Sequence, residues 1–179
     1  MRHALLLGLL LPTAAVCNAT SATAQTMAPQ PVIVDSVLDG DTVVVRGWTQ
    51  RVRLANLDAP EMSHRGGKPG QPYGRQARDW LAVQVQGQAG VTAACHGEDR
   101  YGRAICDFYR QGVHVNKQLV RAGLAWANTA NKRYLRDRSV LDAQHEAQAA
   151  RRGLWSQPGA APPWEWRRAG GALPGTAND

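Results

Sequence analysis

Two short acidic clusters, Asp39-Gly40-Asp41-Thr42 and Asp58-Ala59-Pro60-Glu61, end segments rich in β-branched and apolar residues. Taken alone, the first reads as a hairpin turn and the second as a polar loop stopped by proline. An EF-hand is excluded, because Gln50 rather than Glu stands twelfth counting from Asp39. Yet Asp41, Asp58 and Glu61 bring three carboxylates to two strand ends of a basic chain. Hard cations such as Ca2+ take such oxygens together with main-chain carbonyls, water and phosphate. Two aspartates would make an open site, suited to a catalytic ion rather than a structural one.

Two arginines stand where they could complete such a site. Arg53 sits between Val52 and Leu54, and Arg103 follows the Tyr101-Gly102 turn. An arginine inside an apolar alternation either lies along the solvent face or points into a site. Its planar fork matches phosphate and stays charged at any working pH. A cation, a carboxylate and two arginines are the parts of a phosphodiester hydrolase. The cation and arginines would neutralise charge on the phosphorus oxygens, while Glu61 orients or deprotonates water.

The elements that must position these residues follow from hydrophobic periodicity and turn signals. Residues 32–38 (VIVDSVL), 42–46 and 51–57 (RVRLANL) read as strands, the first two joined by the Asp39-Gly40 turn. Residues 62–72 form a Gly/Pro-rich loop, and Gly74–Val85 a helix with Ala77, Trp80 and Leu81 at helical spacing. Residues 91–96 and 103–109 pair as a hairpin, and residues 115–122 make a short helix stopped by Gly123. Residues 134–152 are predicted as the longest helix, ended by Gly153, with Trp155 packing back. Five short strands, a helix between the third and fourth, and further helices afterwards fit a mainly β, α+β class. The expected architecture is an OB-fold five-stranded barrel with about three helices.

Residues 1–24 read as a signal peptide, with Arg2, the apolar run ALLLGLLL and Ala22-Thr23-Ala24 before Gln25. Export to the periplasm or medium is therefore expected, with residues 25–31 as a leader and 32–155 as the domain. A Pro/Gly/Ala-rich tail, 156–179, carries a Trp164-Glu165-Trp166 anchor. Cys17 would leave with the signal, so Cys95 and Cys106 remain. A hairpin centred between Arg100 and Tyr101 sets them directly opposite, which predicts a disulfide in an oxidising compartment. Closing so short a loop adds roughly 2–3 kcal/mol in the chain-entropy model. The alternatives are two free thiols, or a zinc site that lacks a second ligand pair.

The chain has 179 residues, 21 Lys+Arg against 14 Asp+Glu, a formal charge of +7 and a pI near 9.9. Such a balance favours an anionic partner. No internal apolar run is long enough to span a bilayer, and no repeat marks a solenoid. Arg65, Lys68, Lys132, Arg133, Arg136 and Arg138 could track a phosphate backbone or form a solvated face. Phosphate binding would weaken steeply with salt. No reader of base edges is evident, so little sequence specificity and a preference for exposed single strands are expected.

The segments VLDGDTVVV, RVRLANLDAPE, DRYGRAIC, LVRAGLAW and ARRGLW, in that order across residues 32–155, resemble the staphylococcal (micrococcal) nuclease, or thermonuclease, family. The resemblance implies the OB-type barrel and a Ca2+-dependent phosphodiesterase acting on DNA and RNA. It implies Asp41 and Asp58 as metal ligands, with Ala59 contributing its backbone carbonyl where the staphylococcal enzyme has Thr. It implies Glu61 as general base, Arg53 and Arg103 as the phosphate-binding pair, and Arg100 and Tyr101 as nucleotide contacts. Loss of the 5′-oxygen would leave 3′-phosphate and 5′-hydroxyl ends. Two departures stand out: Trp126-Ala127-Asn128-Thr129 where the family often has Tyr, and a shorter loop before Arg103 that holds the cysteines. A monomer with no protein partner is expected. The alternatives are a non-catalytic nucleic-acid-binding module and an envelope interaction domain.

Overall fold

In the computed structural model, residues 28–63, 69–130 and 133–171 are described. The expected signal peptide, residues 25–27 of the leader, and Arg65, Lys68 and Lys132 lie outside the described residues.

Strand β1 is Gln30–Pro31, β2 Val34–Asp39, β3 Thr42–Val45 and β4 Val52–Leu54. After the two-residue β5, Leu57–Asp58, come helix α1, Gly74–Val85, and the hairpin β6, Val91–Glu98, with β7, Ala104–Arg110. The main ladder runs β1-β6-β7-β4-β3-β2, and β8 (Val113–His114) adds to β7. The β4–β7 pairing is parallel and sets Arg53 beside Ile105. β1 and β2 end the ladder, yet only Val32 and Ile33 separate them along the chain. The chain bends across this seam, with the Val32 amide donating to the Val91 carbonyl (3.0 Å) and the Arg46 amide to that of Ile33 (2.8 Å). The barrel is thus an OB-fold left open in its ladder. Its five longer strands carry two short additions, and a second small sheet pairs β5 with β9, Trp126–Ala127.

That second sheet corrects the expected strand over 51–57. The strand breaks after Leu54, and Asn56 takes a left-handed conformation with φ 70°. Leu57–Asp58 then leaves the barrel wall to pair with Trp126–Ala127. Short polar side chains tolerate this conformation when their own hydrogen bonds are met locally. Asn56 donates from Nδ2 to Asp107 (2.9 Å), while its Oδ1 accepts the amides of Arg136 (2.7 Å) and Asp137 (2.9 Å).

The same contacts correct the expected helix 134–152. Helix α3 runs only Ser139–Ala149, because Asn56 holds the preceding amides and Asp137 accepts the Ser139 amide at 2.9 Å. Among the described residues the longest helix is α1, whose Ala77, Leu81 and Val85 are buried. Burying a side chain such as Leu81 stabilises by about 1.5–3 kcal/mol. Helix α2, Val115–Arg121, presses Leu119 and Val120 into the same core as Val43, Val52, Leu54 and Phe108. Gly123, with φ 72°, follows α2; a Cβ there would lie 2.2 Å from the Arg152 carbonyl oxygen. This approach lets the Leu154 amide reach the Gly123 carbonyl (2.8 Å) and starts a 3-10 turn, Gly153–Ser156.

Trp155 of that turn packs edge-on to Trp126 at 5.3 Å. Cys95 and Cys106 are register partners and form a disulfide, with Cα atoms 4.0 Å apart. A short helix α4, Pro163–Arg168, follows the 3-10 turn, with Trp166 buried and Trp164 half-buried. Among the described residues no helix is long and apolar enough to cross a membrane.

Candidate active site

The site is built on one cross-strand pair. Thr42 of β3 opposes Arg53 of β4, so the Asp39–Thr42 turn lies against the arginine. Gly40 permits this, since a Cβ on it would stand 2.6 Å from that of Ala59 and 2.8 Å from that of Ala77. The break at Asn56 then returns Asp58 to the same place. Arg53 bridges both carboxylates, with Nη1 2.8 Å from Asp41 Oδ2 and Nη2 2.9 Å from Asp58 Oδ1. Nη2 also donates to the Leu57 carbonyl (3.2 Å). Side-chain exposure is only 15% for Arg53 and 1% for Asp58, so these charges interact with little solvent screening.

Burial pushes the Asp41 carboxyl above its ordinary pKa, and the Arg53 charge offsets this only in part. Asp41 otherwise accepts the Thr42 hydroxyl (3.0 Å) and the Ala59 amide (3.3 Å). Burial opposes the Arg53 charge as well, but Asp41 and Asp58 outweigh it and raise its pKa.

Glu61 is positioned through its backbone. Its amide donates to Gln71 Oε1 (3.0 Å), and its carbonyl accepts the Gln71 amide (2.8 Å). Gly74, at the start of α1, packs so closely that a Cβ would be 2.5 Å from the Glu61 carbonyl oxygen.

The β6–β7 turn adds further side chains to the cleft. Asp99 Oδ2 lies 2.7 Å from both Nε and Nη2 of Arg103. Its Oδ1 accepts the amides of Tyr101 (2.8 Å) and Arg103 (3.1 Å). Burial raises the Asp99 pKa, but these bonds and the Arg103 charge prevail and lower it. Arg103 is therefore held by one edge of its guanidinium. Arg100 lies over the Tyr101 ring (4.8 Å) and donates to its hydroxyl (2.7 Å), while Tyr101 is 68% exposed.

Asp41, Arg53, Asp58, Ala59, Glu61, Arg100, Tyr101 and Arg103 all line one cleft of about 480 Å³. The Cys95–Cys106 bridge is not among its lining residues. Arg103 pairs with Asp99 rather than with the Asp41–Asp58 acids. Arg136 donates to the His96 carbonyl (3.4 Å) and is not part of the cleft lining.

Sequence reasoning gave no site role to Arg51, Asp99, Tyr134 and Arg167, and named Asp39 and Asn128 only within longer segments; all six also line it. Arg167 is the largest omission. From α4 it reaches Asp58 Oδ2 (2.6 Å), Asp58 Oδ1 (3.3 Å) and Glu61 Oε1 (2.5 Å). The Arg167-Arg168 pair directly after the tryptophan anchor was the available signal.

A hard cation fits the acid side of the cleft. One guanidinium spans Asp41 and Asp58, so their oxygens converge, and no sulfur or imidazole competes among the lining residues. Among the described residues no group of three or more His, Cys, Asp or Glu is arranged to hold a metal. A site here would have two carboxylates, completed by main-chain, solvent or ligand oxygens.

The profile of the family described as "Staphylococcal nuclease homologue" matches residues 51–157. A protein of Escherichia coli named as an uncharacterized endonuclease is 40% identical over 134 residues, covering 73% of this chain and 80% of that protein. A micrococcal nuclease of Shigella flexneri is 39% identical over 147 residues, covering 74% of this chain and 78% of its own length. A probable staphylococcal-like nuclease of Oryza sativa subsp. japonica is 36% identical over 129 residues. The alignment covers 72% of this chain and only 35% of that plant protein. With the barrel, the bridged aspartates and a profile match over more than half its length, the chain belongs to the staphylococcal nuclease homologue family.

Proposed function

We propose that the protein is an exported, calcium-dependent phosphodiesterase that hydrolyses DNA and RNA with little sequence specificity. The observation that carries the reading is the convergence of Asp41, Arg53, Asp58 and Glu61 on one cleft that Arg103 also lines. Asp41, Asp58 and the Ala59 carbonyl would hold Ca2+, which supplies Lewis-acid charge for a phosphoryl oxygen when bound.

The chain's own residues do the rest. Arg53 and Arg103, from the neighbouring β4 and the start of β7, take the non-bridging phosphate oxygens and stabilise the charge that builds on them. The Asp99 pair holds Arg103 in its working orientation before substrate arrives. Glu61 orients a water and accepts its proton. Water attacks phosphorus as the P–O5′ bond breaks, and the departing 5′-oxygen takes up a proton from solvent, which leaves 3′-phosphate and 5′-hydroxyl ends. Tyr101 and Tyr134, exposed at the cleft, offer ring faces to bases or sugars, which offsets the missing family tyrosine near Trp126. The disulfide suits the oxidising compartment that export by the 1–24 segment would reach.

The test is digestion of single-stranded DNA with Ca2+ and with chelator, by the parent, Glu61→Gln and Arg103→Ala. Calcium-dependent cleavage lost in both variants, with phosphatase-sensitive 3′ ends, is expected. Cleavage unchanged in both variants would overturn the assigned site. Salt-sensitive binding without cleavage would favour a nucleic-acid-binding module instead.

A further inference from the structure

Arg167 lies beyond the family-matched stretch, which ends at residue 157. Its helix is nonetheless seated. Trp166 is 6% exposed, Pro163 is buried, and Gln71 Nε2 donates to the Ala161 carbonyl (3.0 Å) just before the helix. The arginine is thus delivered to the acid site by an anchored segment. Once there, it engages both oxygens of Asp58. Oδ2 takes Arg167 Nη2 at 2.6 Å, and Oδ1 is shared by Arg53 at 2.9 Å and Arg167 at 3.3 Å. The second terminal nitrogen takes Glu61 Oε1. One guanidinium therefore covers a proposed metal ligand and the proposed base together.

A carboxylate has a limited set of lone pairs to share. A divalent cation on an Asp58 oxygen would sit at about 2.4 Å from it, with a positive guanidinium against the same carboxylate. The cation and Arg167 would compete for the Oδ2 side of Asp58, where Arg167 Nη2 is the donor. Arg53 is held by Asp41 as well and can stay, whereas Arg167 is 47% exposed and has solvent to move into.

We propose that Arg167 is an internal counter-cation of the acid site that the metal must displace. The α4 segment thereby sets the metal affinity of the cleft and holds the metal-free chain self-blocked. This inference rests on the calcium reading given above. In the full chain, displacement loosens the end of α4, where the Ala169 and Gly170 amides donate to Glu165 and Arg167.

The experiment is calorimetric titration with CaCl2 of the parent, Arg167→Ala, Arg167→Gln and Arg168→Ala. Hydrogen exchange of residues 167–171 is followed in parallel. Arg168→Ala removes the same charge from the same helix without touching Asp58 or Glu61, and Arg167→Gln keeps most of the side-chain stem. Both Arg167 variants are expected to bind Ca2+ roughly tenfold tighter than the parent, the size of one partly screened ion pair. Arg168→Ala is expected to match the parent. Calcium should speed exchange at Ala169 and Gly170 in the parent but not in the Arg167 variants. Equal or weaker Ca2+ binding in the Arg167 variants would overturn this inference and leave the calcium reading standing. Absence of Ca2+ binding in every chain would overturn both.

Discussion

Two buried aspartates, Asp41 and Asp107, are treated in opposite ways by the groups around them. They are almost equally hidden, at 5% and 6% exposure. Their pKa values move in opposite directions. Asp107 receives Asn56 Nδ2 (2.9 Å) and Asn116 Nδ2 (3.1 Å), and it lies 2.6 Å from His96 Nε2 and 3.0 Å from His114 Nε2. Burial raises its pKa, but the bonds to His114 and His96 outweigh that and hold it below the ordinary carboxylate value. Asp41 has a hydroxyl, one long amide contact and one arginine, and burial wins. A carboxylate enclosed by donors is a structural fastening. A carboxylate that stays costly to ionise is one that a further positive charge would stabilise. Asn56 joins the two clusters, because it binds Asp107 while making the turn that delivers Asp58 to Arg53.

Exchanging each carboxylate for a carboxamide tests this division. Asp41→Asn should cut kcat/KM on single-stranded DNA by about 10³-fold, roughly 4 kcal/mol of transition-state stabilisation. Its unfolding free energy should stay within about 1 kcal/mol of the parent, because a costly buried charge is removed while Arg53 keeps Asp58. Asp107→Asn should do the reverse. Its carboxamide oxygen can keep the Asn56, Asn116 and His114 contacts, but its NH2 would stand against His96 Nε2 and the negative charge facing both histidines is lost, so chemical denaturation should register a loss of about 3 kcal/mol. Activity per folded molecule should change little. Equal stability losses in the two variants would break the comparison.

The smallest effect lies in the pH dependence. Asp107 has a lowered folded pKa, so it contributes stability above the unfolded value near 3.9, and this is lost as pH falls through the folded value. Asp41 has a raised folded pKa, so its contribution is present below that unfolded value and is lost as pH rises through the folded one. Urea melts between about pH 2 and pH 7 should therefore diverge. Asp107→Asn loses part of the acid-side fall in stability, while Asp41→Asn gains on the parent as pH rises. Identical profiles for both variants would remove the distinction.

What could be read from the sequence was whatever depends on neighbours along the chain. The Asp39-Gly40 turn, Arg53 within its strand, and both ends of α1 needed only local pattern. So did the placement of Cys95 opposite Cys106, which follows from where a hairpin turns. The break at Asn56 was hidden because a left-handed asparagine is stable only with Asp107, Arg136 and Asp137 in place. The late start of α3 was hidden for the same reason. Arg167 was hidden most deeply, since its partner Asp58 is 109 residues away and its own surroundings read as an apolar anchor.

The cysteine pairing also bears on how the barrel reaches its native alignment. β6 and β7 meet through a register that has an irregularity between Cys95 and Glu98, and it is this register that sets the two cysteines opposite each other. A slip of one residue turns the two sulfurs to opposite faces of the ribbon, where they cannot join. Oxidation to this bond would therefore require the native alignment. Once made, the bond fixes the Asp107 fastening on one side and the Arg103 turn on the other. A chain folding in an oxidising compartment would be sorted for a competent cleft before any substrate tests it.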